Sequence, residues 1–412
     1  MDLWVVGRYA SSADVSAVST GTQIMQTLTQ IIAGLAMGTT ILLGQQIGQG
    51  RGREGGRTIG ASIAFFGTVA VLLSGVMLLN ITRVAQIMNA PPEAFRGTCG
   101  YLRICSAGLI LITAYNLLGG LFRGLGNSRV PLIAVIIAAI CNIAGDLLLV
   151  KGFCMGAEGA ALATVASQGV SVVLSLLMIR RLELPFSFRI QEIRWDPGIT
   201  KRIVALGAPI ALMDFLVGIS FLVILAIVNS LGLIASAGVG LAEKICAFVM
   251  LIPSAFGQSM AAFVAQNYGA RRLDRAGKAL RYGVTVSLAV GFAIGWLAFF
   301  HGDLLCSIFS RDQEVIAAGW EYLKAYAIDC LLTAQFFCMT GYFNGCGKTR
   351  FVMAQGMIGA FGVRVPVSYL MARIRPVSLF RVGLATPASS LVQTLLCIGY
   401  LIYQHRLRQK EE

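Results

Sequence analysis

The sequence predicts an all-α, multi-pass membrane protein built from two copies of one six-helix unit, with most of the first helix of the first copy missing. Three observations carry this. Of 412 residues, 57% are hydrophobic and only 13% charged, with mean hydropathy +0.77. An ordinary soluble domain carries about 25% charged residues. Apolar runs such as "ASIAFFGTVAVLLSGVMLLN" (61–80) and "YGVTVSLAVGFAIGWLAFF" (282–300) recur along the chain, each near the roughly 20 residues that cross a bilayer. Finally, the chain repeats itself.

The repeat is read without a gap. "YLRICSAGLILITAYNLLGGLFRGLGNSRVPL" begins at Tyr101 and "YLKAYAIDCLLTAQFFCMTGYFNGCGKTRFVM" at Tyr322, 221 residues later. In that register Gly120, Phe122, Gly124, Gly126 and Arg129 fall on Gly341, Phe343, Gly345, Gly347 and Arg350. Upstream, Gln45, Gly48, Arg51 and Gly56 fall on Gln266, Gly269, Arg272 and Gly277. One offset kept over such a distance is the mark of a duplication.

Taken in order, the first copy holds spans near 16–44, 58–80, 98–121, 130–150 and 158–180. The second holds 203–230, 236–265, 280–301, 318–342, 350–372 and 382–404. Five spans against six leave the opening "MDLWVVG" as the end of a sixth helix, so an N-terminal truncation or a mis-assigned start is expected. An even helix number gives both copies one orientation, related by a pseudo-twofold axis along the membrane normal. The expected organisation is an N-terminal lobe at 1–180, a basic cytoplasmic linker at 181–201, a C-terminal lobe at 202–405 and a cytoplasmic tail at 406–412. Loops 51–57, 123–129, 180–202, 271–281, 348–350 and the tail 406–410 hold 21 of the 33 Lys and Arg. That bias places them in the cytoplasm and the chain in a cell membrane.

Several function classes are disfavoured. The net charge of +14 sits in short clusters between apolar runs, not in one stripe with interleaved aromatics, so nucleic acid is not an expected partner. Ten scattered cysteines without CxxC, and two distant histidines, His301 and His405, form no zinc or disulfide pattern. The Gly-x-Gly turns "FRGLGNSR" and "FNGCGKTR" match neither nucleotide-binding pattern; they read as helix ends. No convergent catalytic set is visible, so the chain is not expected to be an enzyme.

The polar residues inside apolar runs carry the functional reading. In "VIIAAICNIAGDLLLV" (135–150), Asn142 and Asp146 are four apart and share a helix face. An ionised Asp at a helix centre costs about 2.5–3.5 kcal/mol on insertion scales. Desolvation disfavours the charged form, which suits a group that takes up and releases a proton. With Thr164 one helix later, the same oxygens suit a hard cation such as sodium, which makes Asp146 and Asn142 the metal ligands if sodium is the ion. The plainer reading is a helix-end Asp near the outer interface, since Lys151 and Gly152 follow. Asp2, on the helix remnant, is placed to pair with Asp146. The small residues Gly156, Gly159, Ala160, Ala161 and Ala163 read as close-packing positions. Asp214, after Pro209, and Tyr115, Asn116, Gln258 and Gln335 are candidates for a substrate cavity. Glu243 with Lys244 reads as a local ion pair, and Asp329 and Arg364 as intramembrane polar groups or a pair.

Together, the "Q-x-x-G-x-x-R" loops, the "F-R-G-L-G-N-S-R" turn and "N-x-x-x-D" followed by "G-A-x-x-A-T" resemble the multidrug and toxic compound extrusion (MATE) family, closest to its bacterial DinF-like members. The likeness covers the whole chain. It implies a twelve-helix transporter fold and a secondary antiporter that exports organic, lipophilic cationic compounds in exchange for protons or sodium ions. No cofactor beyond the coupling ion is implied. By motif, the family's cation site falls on Asp2, Asn142, Asp146 and Thr164. A second, C-lobe site is not expected, because Asp214 lies about two residues off the helix-7 position and the helix-10 position holds Thr333. The runner-up is a lipid-linked oligosaccharide flippase of the same superfamily. It would need a cavity lined by Arg and Lys, and the spans hold almost none beyond Arg364 and Arg103. Expected partners are small organic substrates and the lipid bilayer, with the chain acting as a monomer.

Overall fold

A computed structural model describes residues 2–179, 190–310 and 312–411. Residues 181–189 of the linker expected at 181–201 lie outside the described residues. Every regular element among those described is helical. The chain divides into two compact units, Met1–Ala211 and Leu212–Glu412.

Unit 1 contains α1 (Asp2–Tyr9), α2 (Ser12–Gly48), α3 (Gly52–Ile87), α4 (Pro92–Ala107), α5 (Leu109–Gly124) and α6 (Arg129–Asp146). A π-helical turn, Leu147–Gly152, follows, then α7 (Gly156–Ile179), a short turn Ile190–Glu192 and the first part of α8 (Pro197–Asn229). The division therefore falls inside α8, ten residues after the boundary expected at 201/202. The cause is close packing. A Cβ at Gly38 would meet the Ile203 carbonyl oxygen at 2.4 Å, and one at Gly207 would meet that of Leu35 at 2.6 Å. Ile203 is fully buried in the unit 1 core with Leu102, Phe66 and Phe122.

Unit 2 continues α8 and adds α9 (Leu233–Gly269), α10 (Leu273–Phe300), α11 (Gly302–Ser307), α12 (Gln313–Gly345) and α13 (Thr349–Met357). A π-helical stretch, Ile358–Arg364, leads into α14 (Val365–Arg373), α15 (Leu379–Gly383) and α16 (Ala385–Glu411). Its cores gather around Tyr322 and Leu323, and around Phe343, Phe351 and Tyr400.

Among the described residues, nine helices are long and apolar enough to cross a membrane, or ten if α4 and α5 form one span. Large apolar side chains such as Leu72, Leu79, Phe292 and Leu370 are exposed on the surface, as lipid-facing residues are.

The duplication extends to the elements. α2 and α9 start and end 221 residues apart, as do α4–α5 and α12. Gly126 and Gly347 both turn the chain with positive φ, +81° and +76°, a conformation that costs glycine little. Two spans differ from expectation. That expected at 318–342 lies in α12, which is not among the helices apolar enough to cross a membrane. The stretch 98–121 is bent by 52° at Gly108. There the Ser74 hydroxyl donates to the Ser106 carbonyl at 2.7 Å, and insertion of a side chain into the backbone ladder is a recognised cause of kinks.

Candidate functional site in unit 1

Three helices bring the sequence-predicted polar residues together. α1 is anchored by the fully buried Val5 and Val6, and Lys151 on the π-helical turn lies 5.0 Å over the Tyr9 ring. α6 and α7 approach closely because Gly145 faces Ala163, where a Cβ would leave only 3.0 Å. The N-terminus of α7 is fixed by Asp14. Its carboxylate accepts from the Ala157 N–H at 3.1 Å, while its other oxygen completes the capping box of α2 with Ser11. Gly156, at φ +54°, lies against the same carboxylate. Gly159, Ala160, Ala161 and Ala163 are buried as packing residues.

Within this frame the Thr164 hydroxyl donates to Asp2 Oδ2 at 2.8 Å. Asn142 Nδ2 donates to Thr164 Oγ1 at 3.4 Å. Asp146, at the end of α6, has no exposed surface, and neither of its carboxylate oxygens has a donor among the described residues. Asp2 is its close acidic neighbour. The polar chain Asn142–Thr164–Asp2 thus directs its donors to Asp2 and leaves Asp146 an acceptor only. Two carboxylates side by side offer only acceptors to each other. A shared proton or a hard cation satisfies both, and a buried polar group without a partner costs about 1–3 kcal/mol.

The residue that follows Asp146 opens the π-helical turn. Such turns carry one residue more per hydrogen-bonded ring and are frequent at functional sites. Behind the site, Thr22 Oγ1 and Tyr101 Oη lie 3.1 Å apart, and Tyr101 is in electrostatic reach of Asp2. Sequence reasoning missed this pair. The available signal was that Tyr101 and Tyr322 open the two copies of the repeat.

The remaining candidates divide between the units. Tyr115 and Asn116 lie in unit 1, and Asp214, Gln258 and Gln335 in unit 2. The side-chain amides of Asn116, Gln258 and Gln335 each donate one turn back along their own helix, to the Ile112 carbonyl, Ser254 Oγ and the Leu331 carbonyl. Asp214 is half-buried on α8. Glu243 and Lys244 do not form the expected ion pair. The two ion pairs among the described residues are Arg51–Glu54 and Arg57–Asp196, since adjacent helical residues point about 100° apart. Asp329, fully buried, accepts from the Thr333 hydroxyl at 2.8 Å. Arg364 donates to Ser220 Oγ at 3.3 Å, stacks 4.5 Å from the Phe221 ring and is an electrostatic neighbour of Asp329.

Residues 1–148 and 209–370 match the MatE family model. Among curated proteins, the chain is 24% identical to the probable multidrug resistance protein YoeA of Bacillus subtilis, covering 99% of this chain and 89% of that one. It is also 24% identical to the multidrug export protein MepA of Staphylococcus saprophyticus, over 90% and 82% of the two chains. Among solved structures, it superposes on a Vibrio cholerae MATE transporter variant with TM-score 0.90 at 18% identity, over 99% and 92% of the chains. A transporter of the MOP superfamily from Pyrococcus furiosus matches with TM-score 0.92 at 18% identity, over 100% and 91%.

Proposed function

The chain belongs to the MatE family, and from that membership we propose that it is a secondary antiporter, exporting organic, lipophilic cationic compounds in exchange for protons or sodium ions. The relatives named for multidrug resistance and multidrug export support the class of cargo. The observation that carries the coupling is the buried, donor-less Asp146 beside Asp2.

The coupling follows from charge. With a proton or a cation between them, Asp146 and Asp2 attract one shared partner and α1 is drawn onto α6 and α7. Without it, two carboxylates repel, and the contacts of α1 with α6 and α7 loosen. Ion uptake therefore biases unit 1 between two packings, and such a bias is the element alternating access needs. The π-helical turn at Leu147–Gly152, touching α1 through Lys151 and Tyr9, is the joint on which that change acts. Basic loops facing the cytoplasm of a cell membrane, with the C-terminus inside, complete the reading.

The test is export of a fluorescent lipophilic cation from proteoliposomes under an imposed pH gradient and then a sodium gradient. Gradient-driven export that Asp146→Asn abolishes is expected, and the gradient that works names the ion. Export that survives in Asp146→Asn removes the coupling site. Folded protein that exports under neither gradient, but moves a lipid-linked oligosaccharide, shifts the reading to the flippase.

A further inference from the structure

Unit 1 carries an arginine-rich cleft away from the acidic site. Arg51 immediately precedes α3, and Arg53 and Arg57 lie on its first two turns, just before its apolar run begins at Ala61. The segment 190–196 returns against them. Gly60 makes this possible, since a Cβ there would lie 2.0 Å from the Glu192 carbonyl oxygen. The return is pinned by the Arg57–Asp196 ion pair at 3.0 Å. Asp196 also caps α8, accepting from the N–H groups of Gly198 and Ile199 at 3.0 and 3.1 Å.

Two features of this cleft point outward. Arg53 and Arg194 line it together and are exposed, and their guanidinium groups have no ion pair or hydrogen bond among the described residues. Beside them, Trp195 is 51% and Ile193 41% exposed, and the Trp195 ring lies 6.1 Å from that of Phe65 on the lipid-facing length of α3. Exposed indole next to free guanidinium, at the level where a membrane helix turns apolar, is the composition of a bilayer interface. Guanidinium forks match phosphate oxygens bidentately, and basic pockets at the ends of membrane helices hold anionic headgroups.

We propose that this cleft binds the phosphodiester headgroup of an anionic glycerophospholipid, with Arg53 and Arg194 gripping the phosphate and Trp195 and Ile193 seated among the acyl chains. The occupant is lipid, not free phosphate, because the apolar side chains continue the cleft into the membrane surface. The site joins the segment 190–196, which leads into α8, to α3 within unit 1, so lipid composition would bear on how firmly that segment is held.

The test is native mass spectrometry of the detergent-purified full chain with added phosphatidylglycerol and, in parallel, phosphatidylcholine. Retention of phosphatidylglycerol over phosphatidylcholine is expected. The double variant Arg53→Gln with Arg194→Gln leaves both ion pairs intact and is expected to weaken anionic retention roughly 30-fold, from about fivefold per arginine near an anionic surface. Excess inorganic phosphate is expected not to displace the lipid. Equal retention of the two lipids, no change in the double variant, or displacement by phosphate alone overturns the proposal. If the double variant does not fold, fluorescence of the unmodified chain decides. Brominated phosphatidylglycerol should quench emission more than brominated phosphatidylcholine does, and the excess should vanish in Trp195→Phe; equal quenching by both lipids overturns the site.

Discussion

A Cβ at Gly124 would lie 3.0 Å from the Thr40 carbonyl oxygen, and one at Gly345 would lie 2.7 Å from that of Ala261. Both partners of the one contact lie 221 residues from those of the other, so the seam between helices is the same in each unit. The chemistry along it is not. Gly108, where unit 1 bends, corresponds to Asp329, which lies buried in the unbroken α12. Later in the two units the offset becomes 222. Leu162, Ala163, Thr164 and Ser167 then fall on Leu384, Ala385, Thr386 and Ser389. In that register Asn142, Asp146 and Thr164 correspond to Arg364, Ser368 and Thr386, all three buried. Where unit 1 presents a bare carboxylate, unit 2 carries a guanidinium of its own near Asp329. Duplication preserved the backbone contacts, which tolerate little, and freed the buried polar positions to diverge. On the proposed function, unit 1 takes up a mobile cation and unit 2 holds a permanent one.

Several measurements break or sharpen this contrast. The largest effect is expected at Arg364. Arg364→Gln leaves Asp329 buried without its cationic neighbour and should destabilise the protein by about 3–5 kcal/mol, the usual cost of breaking a buried charge arrangement. Adding Asp329→Asn should recover part of the loss. Thermal unfolding in detergent reads both, and an unchanged Tm for the single variant would remove the notion of a built-in cation.

Next come the seam glycines. A Cβ at Gly341 would sit 2.3 Å from the Gly257 carbonyl oxygen, whereas at Gly120 the nearest atom is the Thr40 hydroxyl at 2.9 Å. Gly341→Ala should therefore cost about 2–3 kcal/mol and Gly120→Ala about 1 kcal/mol, within the range of overpacking. Equal losses would show that the two seams are alike in tolerance as well as position.

Smaller still is the threonine pair. Thr164→Val removes the hydrogen bond to Asp2 and should cost about 1 kcal/mol while raising the ion concentration for half-maximal export several-fold. Thr386 has a buried hydroxyl with no partner among the described residues, so Thr386→Val should be neutral or slightly stabilising. The smallest effect concerns pH at the end of α3. The Ile199 N–H, Arg57 and the Gly198 N–H hold the Asp196 carboxyl below its ordinary value of 3.8, outweighing burial, which acts the other way. A lowered folded value stabilises above the ordinary value and is lost as pH falls through the folded one. Trp195 emission should thus stay constant down to pH 3.8 and change only below it, and at a higher pH in Arg57→Gln.

Much of this contrast was legible in the residues. Asn142 and Asp146 announce themselves because helical spacing puts two polar groups on one face of an otherwise apolar run. Gly126 and Gly347 are visible as turns because the duplication repeats them. The register change near Arg364 was not legible, because one extra residue leaves no gap in a helix's apolar pattern. The 52° bend at Gly108 was hidden for a related reason: a side chain, Ser74, takes up the carbonyl, and it lies on another helix. Side-chain direction defeated the Glu243–Lys244 pair. That the amides of Gln258 and Gln335 each donate to their own helices is likewise not visible in composition.

The most direct test of the account is the number of coupling ions bound per chain. Proton release and sodium binding would be measured on the purified protein, as it stands and as Asp146→Asn and Asp329→Asn. One ion per chain, lost in Asp146→Asn and kept in a folded Asp329→Asn, is the expected result. Binding that survives in Asp146→Asn, or a second ion lost with Asp329, would contradict the assignment of coupling to unit 1.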